Sequence, residues 1–131
     1  MEGEKDITRI LQTLNPVLNE GTYVFCTTKD MGQIAPEDVV MTFCEREGTT
    51  IILEQQLADK LNFEYSFVAR WITLSVYSSL EAVGLTAAFS QALAHENISC
   101  NVVAGYYHDH IFVDVKDAEK AMEVLSELCG N

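Results

Sequence analysis

Between Arg70 and His95 the chain carries a single charged side chain, Glu81, and its apolar residues change period midway through that stretch. From Trp71 to Val76 they alternate. Ile72, Leu74 and Val76 share one face and Thr73 and Ser75 the other, which is the two-residue period of a strand. From Leu85 onward, Leu85, Ala88, Phe89, Ala92 and Leu93 fall on a single helical stripe. Polar residues from Thr73 to Gln91 interrupt the run, and a membrane-spanning helix is more uniformly apolar. The segment therefore predicts a buried strand followed by a helix with one buried face.

The remainder of the second half extends this pattern. His95-Glu96-Asn97 closes the helix, and Ser99–Gly105 and Ile111–Val115 read as strands joined by the tight Tyr106–His110 connection. Asp117 is placed to cap a last helix that turns Ala118, Ala121, Met122, Leu125 and Leu128 inward, and Gly130 ends it. The order is β-α-β-β-α, and a neighbouring strand would complete βαββαβ.

The first half looks like a degraded copy of the same unit. Ile7, Ile10, Leu11 and Leu14 have helical spacing, and Asn15-Pro16 stops that helix. Thr22–Thr27 and Thr49–Glu54 are β-branched and read as strands, with a short helix over Gln55–Leu61 and a last strand over Phe63–Val68. Pro36–Glu47 supports two assignments: Pro36-Glu37-Asp38 resembles a helix start, while Val39–Phe43 suits a strand. The division expected is residues 1–20 as a helix and linker, 21–68 as a degenerate first repeat and 69–131 as a second repeat. The fold class is α+β, two ferredoxin-like βαββαβ repeats with an antiparallel sheet backed by helices.

Charge narrows the function. In 131 residues, 20 Asp and Glu stand against 8 Lys and Arg, a net charge of −12. Such a surface repels phosphate backbones and anionic lipid, so neither nucleic acid nor a membrane surface is expected as a partner. Met1–Lys5 shows no secretory leader pattern, and the expected location is cytoplasmic. Cys26, Cys44, Cys100 and Cys129 are widely spaced without a CxxC, which points to reduced core thiols.

Three places carry chemistry. In the loop Ser78–Thr86, Gly84 removes a side chain where strand hands over to helix. The first free N–H groups of that helix, near Leu85 and Thr86, suit a carboxylate, and Ser78 and Ser79 add hydroxyl donors. The same residues also serve as a plain turn and cap. Asn97 fits a left-handed helix C-cap. In His108-Asp109-His110 the two histidines share one strand face; a zinc site would need a third ligand, and Asp109 alternatively stabilises the hairpin turn. No nucleophile elbow, phosphate-binding glycine loop or paired-carboxylate motif is present, so no catalysis, cofactor or metal is expected.

The segments Ser79–Phe89, Leu93-Ala94, Asn97–Ser99, His108–Val113 and Ala118–Leu125 together resemble an ACT-type regulatory domain. The likeness is nearest to small bacterial tandem ACT-like proteins, related to the ACT-like modules of cytosolic arginine sensors. Glu45–Thr50 resembles the matching stretch of their first repeat. The resemblance implies a regulatory module that binds a small molecule, generally an amino acid, and forms a homodimer or higher homo-oligomer. It implies a site built from Ser78, Ser79, Val83, Gly84, Leu85 and Thr86. The helix-to-strand corner of Asn97, Ile98 and Asn101 would line it, and Asp109 would meet an ammonium or basic group. An acidic shell around this nearly charge-free region favours a zwitterionic or cationic ligand. The alternative is a structural or protein–protein interaction module that has lost its ligand site.

Overall fold

A computed structural model of the chain describes residues 7–75 and 83–130. The chain divides into two compact units, residues 21–69 and residues 1–20 joined with 70–131.

In the unit of residues 21–69, strand β2 (Tyr23–Thr28) pairs antiparallel with β4 (Thr49–Glu54), from Tyr23 opposite Glu54 to Thr28 opposite Thr49. β3 (Val39–Cys44) pairs on the other side of β4, with a bulge between Val39 and Met41. The other edge of β2 takes Val68 and Ala69, the first residues of β5 (Val68–Leu74). The strand order is thus β3-β4-β2-β5. The ambiguity over Pro36–Glu47 resolves as both assignments in succession. Pro36–Asp38 forms one 3₁₀ turn, and the β-branched run from Val39 takes over as strand. A 3₁₀ turn thus stands where a full helix would separate the first two strands. Helix α2 (Gln55–Lys60) lays Ala58 on a core of Val24, Cys26, Ile34, Ile51 and Leu53. The strand expected over Phe63–Val68 begins only at Val68, because Phe63 and Tyr65 pack against that core from an irregular segment.

The second unit is finished by the N-terminal segment. Helix α1 (Ile7–Gln12) leads into β1 (Pro16–Leu18), which pairs antiparallel with β5 from Pro16 opposite Leu74 to Leu18 opposite Ile72. Adding β6 (Asn101–Ala104) and β7 (Asp109–Asp114) gives the order β1-β5-β7-β6. This matches the order of the first unit, with β1 as fourth strand. The sequence treats residues 1–20 as a helix and linker; the fold uses part of that segment as a sheet strand.

Helix α3 (Leu85–His95) and helix α4 (Ala118–Leu128) cover this sheet. Leu85, Phe89 and Leu93 from α3 meet Ala118, Ala121, Val124 and Leu125 from α4 over Ile72, Leu74, Ile111 and Val113. Leu14, just after α1, joins the same core. Met122 and Leu128, expected inside, are partly buried, and Val124 takes a more buried place. Asp117 occupies the N-cap position of α4, yet its side chain makes no capping bond. Asp114 does that work one turn earlier, accepting from the Lys116 N–H at 3.0 Å within the 3₁₀ turn Val115–Asp117.

Phe89 is fully buried at the centre of this core. Phe89→Ala is expected to lower unfolding stability by about 3–5 kcal/mol, read from the urea midpoint at unchanged slope. A loss under 1 kcal/mol would show that α3 does not anchor the unit.

Candidate functional site

The N-terminus of α3 begins at Gly84, whose φ of 95° lies in the left-handed region that glycine adopts without steric cost. Gly84 has no side chain to cap the helix, and none among the described residues does so. The Ala88 N–H bonds to the Gly84 carbonyl at 2.9 Å as the first rung of the helix. The N–H groups of Leu85, Thr86 and Ala87 therefore precede the ladder and carry the positive end of the helix dipole. The Leu85 side chain is core, Thr86 is exposed, and Val83 stands 86% exposed beside Gly84. Ser78 and Ser79 lie outside the described residues.

At the other end of α3, Asn97 has φ 61°. Its N–H bonds to Ala94 O at 2.9 Å, and the Ile98 N–H reaches back to Leu93 O at 3.0 Å. This pair of bonds is a Schellman motif, and Ile98 buries its side chain in the same core as Leu93. The device occurs twice among the described residues. Asn62, also at φ 61°, and Phe63 end α2 with bonds to Asp59 O and Ala58 O. Helix termination thus accounts for Asn97 and Ile98. Thirteen residues separate Gly84 from Asn97, about 20 Å along a helix.

Asn101 lies exposed on β6 and donates through Nδ2 to Phe112 O at 3.3 Å. Asp109 opens β7 opposite Ala104, three residues from the Asn101–Phe112 pair, or about 10 Å along the hairpin. Burial raises the Asp109 carboxyl above its ordinary range, and the neighbouring His110 pulls it partly back. Within one chain, then, Asn97 and Ile98 adjoin. Gly84 lies at the opposite end of α3 from them, and Asp109 at the opposite end of the hairpin from Asn101.

A polar network that the sequence reading missed lies on the sheet face opposite Ile72, Leu74 and Ile111. Trp71 Nε1 donates to His110 Nδ1 at 3.0 Å, and Thr73 Oγ1 lies 3.1 Å from the same nitrogen. Asn19 Nδ2 donates to Thr73 Oγ1 at 3.0 Å, tying the segment after β1 to β5 and β7. Trp71 also stacks on Phe112 at 6.1 Å. The signal was available, since Trp71 and Thr73 alternate with the apolar face, as His110 and Phe112 do. His108 remains exposed, and among the described residues no three His, Cys, Asp or Glu side chains gather as a metal site. All four cysteines are free thiols, but only Cys26 is buried; Cys100 and Cys129 are partly buried, and Cys44, at the end of β3, is exposed rather than in a core. Burial raises the Cys26 thiol and pushes that of Cys100 up to about 11, so both stay protonated at neutral pH. Among the described residues, no helix is long and apolar enough to cross a membrane.

Family models described as ACT domain match residues 2–70 and 66–127. The chain belongs to the ACT-domain family. Its two units are tandem ACT domains, a ligand-binding and regulatory class of module. A solved structure from Vibrio cholerae, described as a protein of unknown function and possible transport protein, is 44% identical. Its TM-score is 0.85, over 95% of this chain and 97% of that one. A protein from Agrobacterium tumefaciens aligns at TM-score 0.66 and 15% identity, over 88% of this chain and 89% of that one. The regulatory subunit of aspartate kinase from Thermus thermophilus, in its ligand-free form, aligns at TM-score 0.63 and 10% identity, over 88% and 99%. The last two likenesses concern the fold. No curated protein matches the chain.

The network makes a pH prediction. Trp71 Nε1 can only donate, so the bond to Nδ1 requires His110 to keep that nitrogen unprotonated. Burial lowers His110 below its ordinary 6.5, His108 lowers it further, and Asp109 opposes. The unfolded chain therefore takes up this proton more readily than the folded one. Stability is fully present above 6.5 and falls as pH drops toward the lowered folded value. Acidification should weaken the fold and shift the emission of Trp71, the single tryptophan, while His110→Gln flattens both responses. Identical pH profiles for the two proteins would contradict the network's role.

Proposed function

We propose that this tandem ACT protein is a cytoplasmic, non-catalytic regulatory module that binds a free amino acid at the N-terminus of α3. The observation that carries the reading is the left-handed Gly84 at an N-cap with no side-chain partner among the described residues. The ligand's α-carboxylate would take the place of the missing cap, against the N–H groups of Leu85, Thr86 and Ala87. Val83 would flank it. The ammonium or a basic side chain would be met by Asp109, and Asn97, Ile98 and Asn101 would line the far wall.

These groups lie at opposite ends of α3 and of the β6–β7 hairpin in one chain. The site therefore calls for a second copy. A second copy whose Asn97–Asn101 corner lay beside Gly84 would share the ligand, and binding would then bias a homodimer. A zwitterionic or cationic ligand suits the net charge of −12 better than an anionic one.

Thermal unfolding with each amino acid at millimolar concentration tests the proposal. A ligand at one hundred times its Kd adds about 2.7 kcal/mol of stability. Gly84→Val should abolish this response while keeping a cooperative transition, because a β-branched residue at that φ costs about 1–2 kcal/mol and obstructs the N–H groups. Asp109→Ala should weaken the response to cationic amino acids most. No shift with any amino acid would sink the ligand reading and leave a module for protein–protein contact, whose site has been lost.

A further inference from the structure

The outer faces of α3 and α4 leave a groove of about 550 Å³ between them. Its floor is apolar and small: Ala88 and Ala92, four residues apart on α3, face Val124 and Leu128, four apart on α4. Two facing rows at this spacing form the complement of one ridge of a third helix, and the alanines let its backbone approach closely. The rim is acidic. Glu96 and Glu127 line it, and Lys120, the rim's lysine, stands 3.6 Å from Glu96 and 3.8 Å from Glu123. Glu96 and Glu123 share that one lysine, so the pairs keep a net negative charge beside Glu127, and Gln91 and His95 complete the rim.

We propose that this groove is a docking surface for a basic amphipathic helix of a partner protein, its apolar ridge on the alanine floor and its Lys or Arg side chains on Glu96 and Glu127. The charge pattern selects this occupant over a second copy. The polar face of α4 carries Glu119, Glu123 and Glu127, so a second copy's α4 laid in this groove sets acid against acid, which leaves a dimer formed elsewhere unaffected. The docking surface is separate from Gly84 and does not depend on an amino acid being bound.

The test uses the full chain and fluorescein-labelled helical peptides about 18 residues long, enough to hold helix in isolation. One places leucine on an i, i+4 ridge flanked by lysine. A second scrambles the same composition, and a third replaces lysine with glutamate. Fluorescence anisotropy should show saturable one-to-one binding of the first, with Kd at least about tenfold lower than for the other two. The exposed pair E96K/E127K should raise that Kd about tenfold. Lysine near a helix C-terminus is favourable, so this variant keeps its fold, which circular dichroism checks. Equal binding of the scrambled peptide, or unchanged binding by the variant, overturns the proposal. So does peptide binding that weakens as the protein self-associates, which would assign the groove to a second copy.

Discussion

The antiparallel pairing of β1 with β5 is the contact on which the second ACT domain depends. Without Pro16–Leu18, the edge of β5 from Ile72 to Leu74 would expose its backbone groups beside a closed core. Bonds just outside the ladder extend the seam: Asn19 N–H to Trp71 O at 2.9 Å, and Ser75 N–H to Asn15 O at 3.1 Å. Closing the loop between residues 20 and 70 costs entropy that grows only slowly with length. The intervening segment folds as a unit of its own, so the chain between the paired strands is not a slack tether.

β5 also explains how two repeats fit in so short a chain. Its first residues, Val68 and Ala69, serve as fourth strand for residues 21–69, and the remainder is the first strand of the other unit. One strand thus does the work of two. The ACT models overlap at residues 66–70, where this hand-over occurs.

Long periodic elements were legible in the sequence. The Ile72/Leu74 alternation, the Thr49–Glu54 strand and the α3 stripe all follow from apolar spacing, because burial on one face imposes that spacing. Short elements were not. Pro16–Leu18 is too brief to display a period, and tertiary pairing alone makes it a strand. Phe63 and Tyr65 have strand-like composition, yet they pack, partly buried, against the core from irregular backbone. The candidate residues have structural tasks as well. Gly84 takes a left-handed N-cap conformation that suits glycine, and Asn97 and Ile98 end α3. Sequence cannot separate a residue that stops a helix from one that also touches a ligand.

The polar groups of the second domain are partitioned by sheet face, and this bears on how a ligand could act. Ile111 and Val113 point into the helix-covered core, while His110 and Phe112 meet Trp71 on the other side. Asp109 shares the parity of Ile111 and adjoins His110 in sequence, and each shifts the other's protonation. A cation held by Asp109 would stabilise its charged form. The charged aspartate in turn favours the proton on His110, whereas the bound cation disfavours it. His110 carries the bond from Trp71 and the contact with Thr73, and through Thr73 reaches Asn19 beyond β1. Were Asp109 to hold a ligand's cation, that charge would be coupled to the seam that closes the domain. Such a coupling would need no large movement, only a change in which state of His110 the fold prefers.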